Sequence, residues 1–232
     1  MFDRFRGFFA NMFTPPARFL TRRGVTPDAV TIAGSAVVVV VALTFYPQGW
    51  LFAGSAIITV CVFSDTLDGV MARMQGRVSK WGAFLDSTLD RFADAAVFSG
   101  LMLYFLGPGD SHVWAGMAVL CLVLGQLTSY ARARAEGLGL NAKTGIAERA
   151  DRLVAILVGA GFAGLGVPWI LEIVLVLLSA ASAITVVQRI VMVHGQTLAT
   201  EPIAPAPADT APVDTAPDSP EPPPPPAADR PA

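Results

Sequence analysis

Apolar residues fall in six blocks along the chain, at Val30–Tyr46, Trp50–Ser64, Ala83–Leu106, Val113–Tyr130, Leu153–Val167 and Trp169–Met192. A bilayer-spanning helix needs about 20 such residues, with a range of about 17–25. The second block is short unless its helix runs on through Asp65–Arg73, and that extension is expected. The pattern predicts an all-α integral membrane protein with six transmembrane helices. Before them, Phe2, Phe5, Phe9, Met12 and Phe13 recur at helical spacing around Arg4 and Arg6. This stretch reads as an amphipathic helix lying in the membrane interface and acting as an anchor. Thr26-Pro27-Asp28 precedes the first span, with Thr26 or Asp28 placed to cap it and Pro27 to fix its entry.

The expected domain organisation is an interfacial segment at 1–23, a six-helix membrane domain at 24–195 and a disordered tail at 196–232. The tail is rich in Pro and Ala, with Pro222–Pro226 unbroken, and cannot bury enough apolar surface to order itself. It also distorts the charge balance. The chain is formally −2, but six of its 18 acids and only one of its 16 bases lie beyond Leu198. At 53% hydrophobic and 15% charged, the chain falls well below the roughly 25% charged residues of an ordinary soluble domain. Cys61 and Cys121 both lie inside apolar blocks, where packing rather than a disulfide is expected. No signal peptide is expected from the start of the chain, and nucleic acid is not an expected partner.

The basic residues give an orientation. They occupy the N-terminal segment (Arg4, Arg6, Arg18, Arg22, Arg23), the second-to-third connection (Arg73, Arg77, Lys80) and the fourth-to-fifth connection (Arg132, Arg134, Lys143, Arg149, Arg152). The other three connections, Pro47–Gly49, Gly107–His112 and Gly164–Pro168, carry no Lys or Arg. By the positive-inside rule, both termini and the basic connections face the cytoplasm of a multi-pass protein of the bacterial plasma membrane.

Four aspartates then stand out. Asp65 and Asp68 are three apart on one predicted helix, and Asp86 and Asp90 are four apart on the next, so each pair shares a helix face. The short link between these helices suggests antiparallel neighbours whose aspartate pairs converge. A bare carboxylate near a helix centre in the bilayer costs roughly 2.5–3.5 kcal/mol, so four call for neutralisation. Clustered carboxylates without His or Cys suit hard divalent cations such as Mg²⁺, Mn²⁺ or Ca²⁺, not zinc. Two such cations form a phosphoryl-transfer device, with a spare carboxylate free to act as base. A proton or ion path through a transporter is the other reading of the same residues. Gly69 and Gly82 leave room for close approach, and Arg73, about two turns after Asp65, can meet a phosphate.

The full pattern is D-x-x-D-G-x-x-A-R-(x8)-G-x3-D-x3-D, carried by Asp65, Asp68, Gly69, Ala72, Arg73, Gly82, Asp86 and Asp90. It resembles the CDP-alcohol phosphotransferase family, over about Gly24 to Met192. The resemblance implies that a CDP-linked lipid gives its phosphatidyl group to an alcohol and CMP leaves. It implies two metal ions, Mg²⁺ with Mn²⁺ possible. Asp65, Asp68 and Asp86 would hold one, and Asp65, Asp86 and Asp90 the other, with Asp90 also the catalytic base. It further implies CDP-diacylglycerol contacts from Gly69, Arg73 and Ser79, helped by Asp28, Ala29, Val30 and Thr31, and it implies a homodimer in the lipid bilayer.

The wording around Leu85-Asp86-Ser87-Thr88-Leu89-Asp90-Arg91 is similar to the actinobacterial phosphatidylinositol phosphate synthases, whose acceptor is inositol 1-phosphate. Glycerol 3-phosphate, as used by phosphatidylglycerophosphate synthases, is the rival acceptor because its charge is the same. Either phosphate calls for an Arg/Lys cluster. Arg134, Lys143, Arg152 and Arg189 are the expected members. Arg132 is a further candidate, although residues two apart on a helix do not face one site together. Asp94 continues the stripe of Asp86 and Asp90, either as a supporting group or simply as a polar residue facing its neighbours, while His112 and His194 read as interfacial.

Overall fold

The computed structural model describes residues 23–74 and 79–198, with the backbone alone given for 63–74. Six α-helices follow one another: α1 (Pro27–Phe45), α2 (Leu51–Met74), α3 (Lys80–Leu106), α4 (His112–Gly137), α5 (Arg149–Gly164) and α6 (Ile170–Thr197). Strands are absent among the described residues. The second helix does run on through Asp65–Arg73, as its short apolar block required. The last helix extends to Thr197, two residues into the segment expected to be tail. All but the last residue of the interfacial segment expected at 1–23, and the chain beyond Leu198, lie outside the described residues.

Local chemistry sets the helix ends. Thr26 caps α1 by accepting from the Ala29 N–H at 3.2 Å, with Pro27 opening the first turn. Ser79 caps α3 through the Gly82 N–H at 2.9 Å. Asp151 accepts from the Glu148 N–H at 3.2 Å and closes the first turn of α5. Between α1 and α2, a 3₁₀ turn at Tyr46–Gln48 ends on Gly49, whose φ of 80° is left-handed.

The helices close into a ring of neighbours. α1 packs on α2 and α3, α2 on α5, α5 on α6, α6 on α4, and α4 on α3. α1 lies closely against both α2 and α3. The close fit has a steric cause. A Cβ on Gly100 of α3 would collide with the Ala42 carbonyl of α1, and one on Gly54 of α2 would meet the Tyr46 ring at 2.8 Å. The interior is filled by Tyr46, Ile58, Val97, Leu101, Phe105, Ile156, Leu171 and Leu175. Tyr46 and Ser55 share a buried hydrogen bond of 3.0 Å, as do Cys121 and Ser179. Cys121 is thus a packed core residue, and Cys61 is half-buried.

Large apolar side chains also cover the outside. Val40, Val60, Val113, Leu177 and Val191 are all 60% or more exposed. Water does not favour such a surface, whereas lipid does. Three helical stretches, Pro27–Gln48, His112–Gly137 and Ile170–Thr197, are long and apolar enough to cross a membrane. The molecule has the character of an all-helical membrane protein.

Candidate active site

Alternating helix directions bring the starts of α1, α3 and α5 and the ends of α2, α4 and α6 to one end of the ring. The Gly82 side of the α3 cap lies beside Asp28, whose Oδ1 is 3.9 Å from where a Cβ on Gly82 would be. Three helix N-termini at this end offer partial positive charge to phosphate groups. Asp28, Ala29, Val30 and Thr31 form the first turns of α1, and Ser79 forms the α3 cap, so these expected nucleotide contacts are close neighbours. Thr31 is buried and its hydroxyl donates to the Pro27 carbonyl at 3.2 Å.

Asp86 and Asp90 lie one turn apart on α3, with Asp86 exposed and Asp90 half-buried. Asp65, Asp68, Gly69 and Arg73 lie on the last part of α2, for which only the backbone is described. Among the described side chains no three Asp, Glu, His or Cys groups gather as metal ligands. Asp86 and Asp90 are the pair that α3 contributes, and an all-carboxylate oxygen set fits a hard divalent cation.

Next to Asp90 lies a chain of charges that joins α3 to α5. Arg149 forms an ion pair with Asp90 Oδ1 at 2.8 Å and a second with Asp94 Oδ1 at 3.3 Å. Arg152 approaches Asp94 Oδ2 at 3.9 Å. Asp94 is buried and pairs with both guanidinium groups. Arg91 of α3 lies 4.0 Å from Asp90 and donates to Ser129 of α4.

A cavity of about 740 Å³ opens beside this chain of charges. Five arginines line it, Arg91, Arg132, Arg149, Arg152 and Arg189, against two carboxylates, Glu136 and Glu148. Arg132 pairs with Glu136 at 3.0 Å. Arg152 and Arg189 are both buried, and backbone carbonyls engage them. Arg152 donates to Thr128 Oγ1 and the Ala147 carbonyl, each at 3.0 Å, and to the Gly125 carbonyl at 3.3 Å. Arg189 donates to the Thr144 carbonyl at 2.9 Å and to the Thr128 carbonyl. Among the described residues, five guanidinium groups meet Glu136 and Glu148 on the cavity wall and Asp90 and Asp94 behind it, an excess of positive charge in a partly closed space that suits an anion.

The sequence-based cluster is therefore redrawn. Arg132, Arg152 and Arg189 line the cavity, while Arg134 and Lys143 are exposed and do not. Two residues along α4 turn Arg134 about 200° from Arg132, away from the cavity. Lys143 sits in the connection to α5, its N–H bonded to Asn141 Oδ1 at 2.9 Å. Arg149 and Arg91 are the members that sequence reasoning missed. Arg149 lies three residues before Arg152, a spacing that puts both on one helix face. That signal was present in the sequence. His112 and His194 are exposed, at the first turn of α4 and the last turn of α6.

Comparison with known proteins gives the family of the chain. Phosphatidylinositol phosphate synthase of Streptomyces avermitilis is 51% identical over 199 residues, covering 83% of this chain and 82% of the relative. The Cutibacterium acnes protein of the same description is 52% identical over 202 residues, covering 84% of this chain and 98% of the relative. A crystal structure of Mycobacterium tuberculosis phosphatidylinositol phosphate synthase with CDP-DAG bound superposes with a TM-score of 0.77 at 42% identity, over 79% of this chain and 94% of that one. A second structure of that protein, in complex with manganese and citrate, gives a TM-score of 0.79 at 41% identity, over 85% and 96%. The profile of CDP-alcohol phosphatidyltransferase matches residues 24–146, from the turn before α1 to the strand of loop that leads into α5. Motif, helical ring and relatives agree, and the chain belongs to the CDP-alcohol phosphatidyltransferase family.

Proposed function

We propose that this chain transfers the phosphatidyl group of CDP-diacylglycerol to inositol 1-phosphate, giving phosphatidylinositol phosphate and CMP. The observation that carries the acceptor assignment is the five-arginine cavity beside Asp90. A phosphate monoester brings about −1.5 to −2 charge near neutral pH, which matches the excess of guanidinium groups. The similarity to phosphatidylinositol phosphate synthases supports the cyclitol over glycerol 3-phosphate.

The residues divide the work as follows. Asp28, Ala29, Val30, Thr31, Gly69, Arg73 and Ser79 bind the cytidine diphosphate part of the donor. Arg132, Arg149, Arg152 and Arg189 bind the acceptor phosphate, which holds the inositol hydroxyl towards Asp90. Asp65, Asp68, Asp86 and Asp90 would hold two divalent cations, Mg²⁺ or Mn²⁺. When bound, these ions supply neutralising charge to the diphosphate oxygens. Asp90 takes the proton of the attacking hydroxyl. The hydroxyl oxygen bonds to the phosphorus that bears diacylglycerol, the bond from that phosphorus to the CMP oxygen breaks, and CMP departs with the electron pair. Arg149, which touches Asp90 and lines the cavity, links the base to the acceptor phosphate.

In the same reading all six helices span the plasma membrane, with the basic end of the ring, both termini and the active site cytoplasmic. The tail beyond Leu198 is dispensable, and the protein works as a homodimer. The test is metal-dependent CMP release from CDP-diacylglycerol in mixed micelles, across a panel of polyol phosphates. Release that requires inositol 1-phosphate is expected. Equal release without an acceptor, or release with glycerol 3-phosphate alone, overturns the acceptor assignment.

A further inference from the structure

The connection from α4 to α5, residues 138–148, lies along one face of α6 and is fastened there at three levels. Gln196 accepts from the Asn141 N–H at 2.9 Å and donates to the Asn141 carbonyl at 2.5 Å. Arg189 donates to the Thr144 carbonyl at 2.9 Å. Thr185 Oγ1 accepts from both the Ile146 and Ala147 N–H groups, each at 3.2 Å, and donates to the Ala181 carbonyl at 2.8 Å. A hydroxyl has one proton and two lone pairs, so Thr185 uses its full capacity. It is completely buried. The approach at this level is so close that a Cβ on Gly145 would collide with the Thr185 methyl, and Gly145 has φ +137°. Ala147, held by Thr185, stands two residues before Arg149.

We propose that Thr185 is a positioning residue for acceptor recognition. Among the described residues it touches neither the cavity lining nor Asp86, Asp90 or Asp94. By fixing the backbone of Ile146 and Ala147, it sets where α5 begins and therefore where Arg149 meets Asp90 and the cavity. This rests on the reading that Arg149 binds the acceptor phosphate. A shift of about 1 Å in such a group can cost up to about a hundredfold.

The test compares Thr185→Val, which keeps the shape and removes the hydroxyl, with Thr185→Ser, which keeps the hydroxyl. Thr185→Val should raise KM for inositol 1-phosphate by about tenfold or more while KM for CDP-diacylglycerol stays within about twofold. Thr185→Ser should restore the acceptor KM. A purely structural role would lower the thermal midpoint or kcat without separating the two KM values, and that result overturns the proposal. Because Thr185→Val can fail to fold, hydrogen exchange in the unaltered protein gives a second reading. The Ile146 and Ala147 amides should exchange much more slowly than those of Gly139 and Lys143, and equal rates overturn the clamp. The two ideas fail differently. An unaltered enzyme that ignores inositol 1-phosphate refutes the acceptor assignment, whereas one that requires it, with Thr185→Val keeping its acceptor KM, refutes the positioning role.

Discussion

Removing the Asp94 carboxylate should weaken the fold more than any other single change to the charged end of the ring. Asp94 is buried at 7% exposure and faces two guanidinium groups, Arg149 at 3.3 Å and Arg152 at 3.9 Å. Arg149 keeps Asp90 at 2.8 Å after Asp94→Ala. Arg152 has no second carboxylate within ion-pair distance among the described residues, and it is 3% exposed. Stripping one partner from a buried pair costs about 3–5 kcal/mol. The lower end applies here, because Arg152 retains its bonds to Thr128, Ala147 and Gly125. A loss of about 3 kcal/mol corresponds to a fall in thermal midpoint of about 6–12 °C for a chain of this size. The assay is thermal unfolding of detergent-solubilised protein, followed by circular dichroism. If the loss arises from an uncompensated charge, adding Arg152→Met to Asp94→Ala should recover part of it, since apolar replacements of buried pairs are often neutral or better. A midpoint unchanged within about 1 °C for Asp94→Ala, or a further fall in the double variant, would refute the reasoning.

Asp90→Asn should abolish CMP release while leaving the unfolding midpoint close to that of the parent, because Arg149 keeps its ion pair with Asp94 at 3.3 Å; measurable turnover would remove Asp90 from the role of base. Arg149→Ala should raise KM for the acceptor phosphate by about tenfold or more, and Arg134→Ala should leave it within about twofold, read in the same assay. Gly100→Ala places a Cβ against the Ala42 carbonyl and should destabilise the α1–α3 crossing by about 1–3 kcal/mol, offset in part by the better helix propensity of Ala; a midpoint equal to the parent's would show that the crossing is looser than described. Truncation after Ala199 should leave CMP release intact, and its loss would give the tail a function.

Six helices and their main boundaries were legible because each needs a long apolar run, and Gly, Pro, Ser and Thr mark the turns and caps between runs. Thr26 and the continuation of α2 through the aspartates follow from such local rules. The aspartate motif was legible for a related reason, since its spacing on single helices already fixes which carboxylates share a face. Transport remained open at that level, because carboxylates at helical spacing serve either chemistry until the family is shown.

The arginines divide differently. Arg149 and Arg152 share a face by spacing alone, yet nothing in the sequence says that this face looks at Asp90 and Asp94 rather than at lipid. Arg132 and Arg134 are equally basic, and only the rotation of α4 against α3 and α6 decides that Arg132 lines the cavity. The sequence by itself therefore determined the helices, the basic end and the carboxylate motif, all of which are properties of single segments. Tertiary structure alone decided that α1 packs against both α2 and α3, which arginines meet the aspartates, and that Thr185 holds the loop before α5. Helical periodicity fixes directions around one axis, whereas the angle and rotation between two axes come from close contacts such as Gly100 on Ala42 and Gly164 on Phe52.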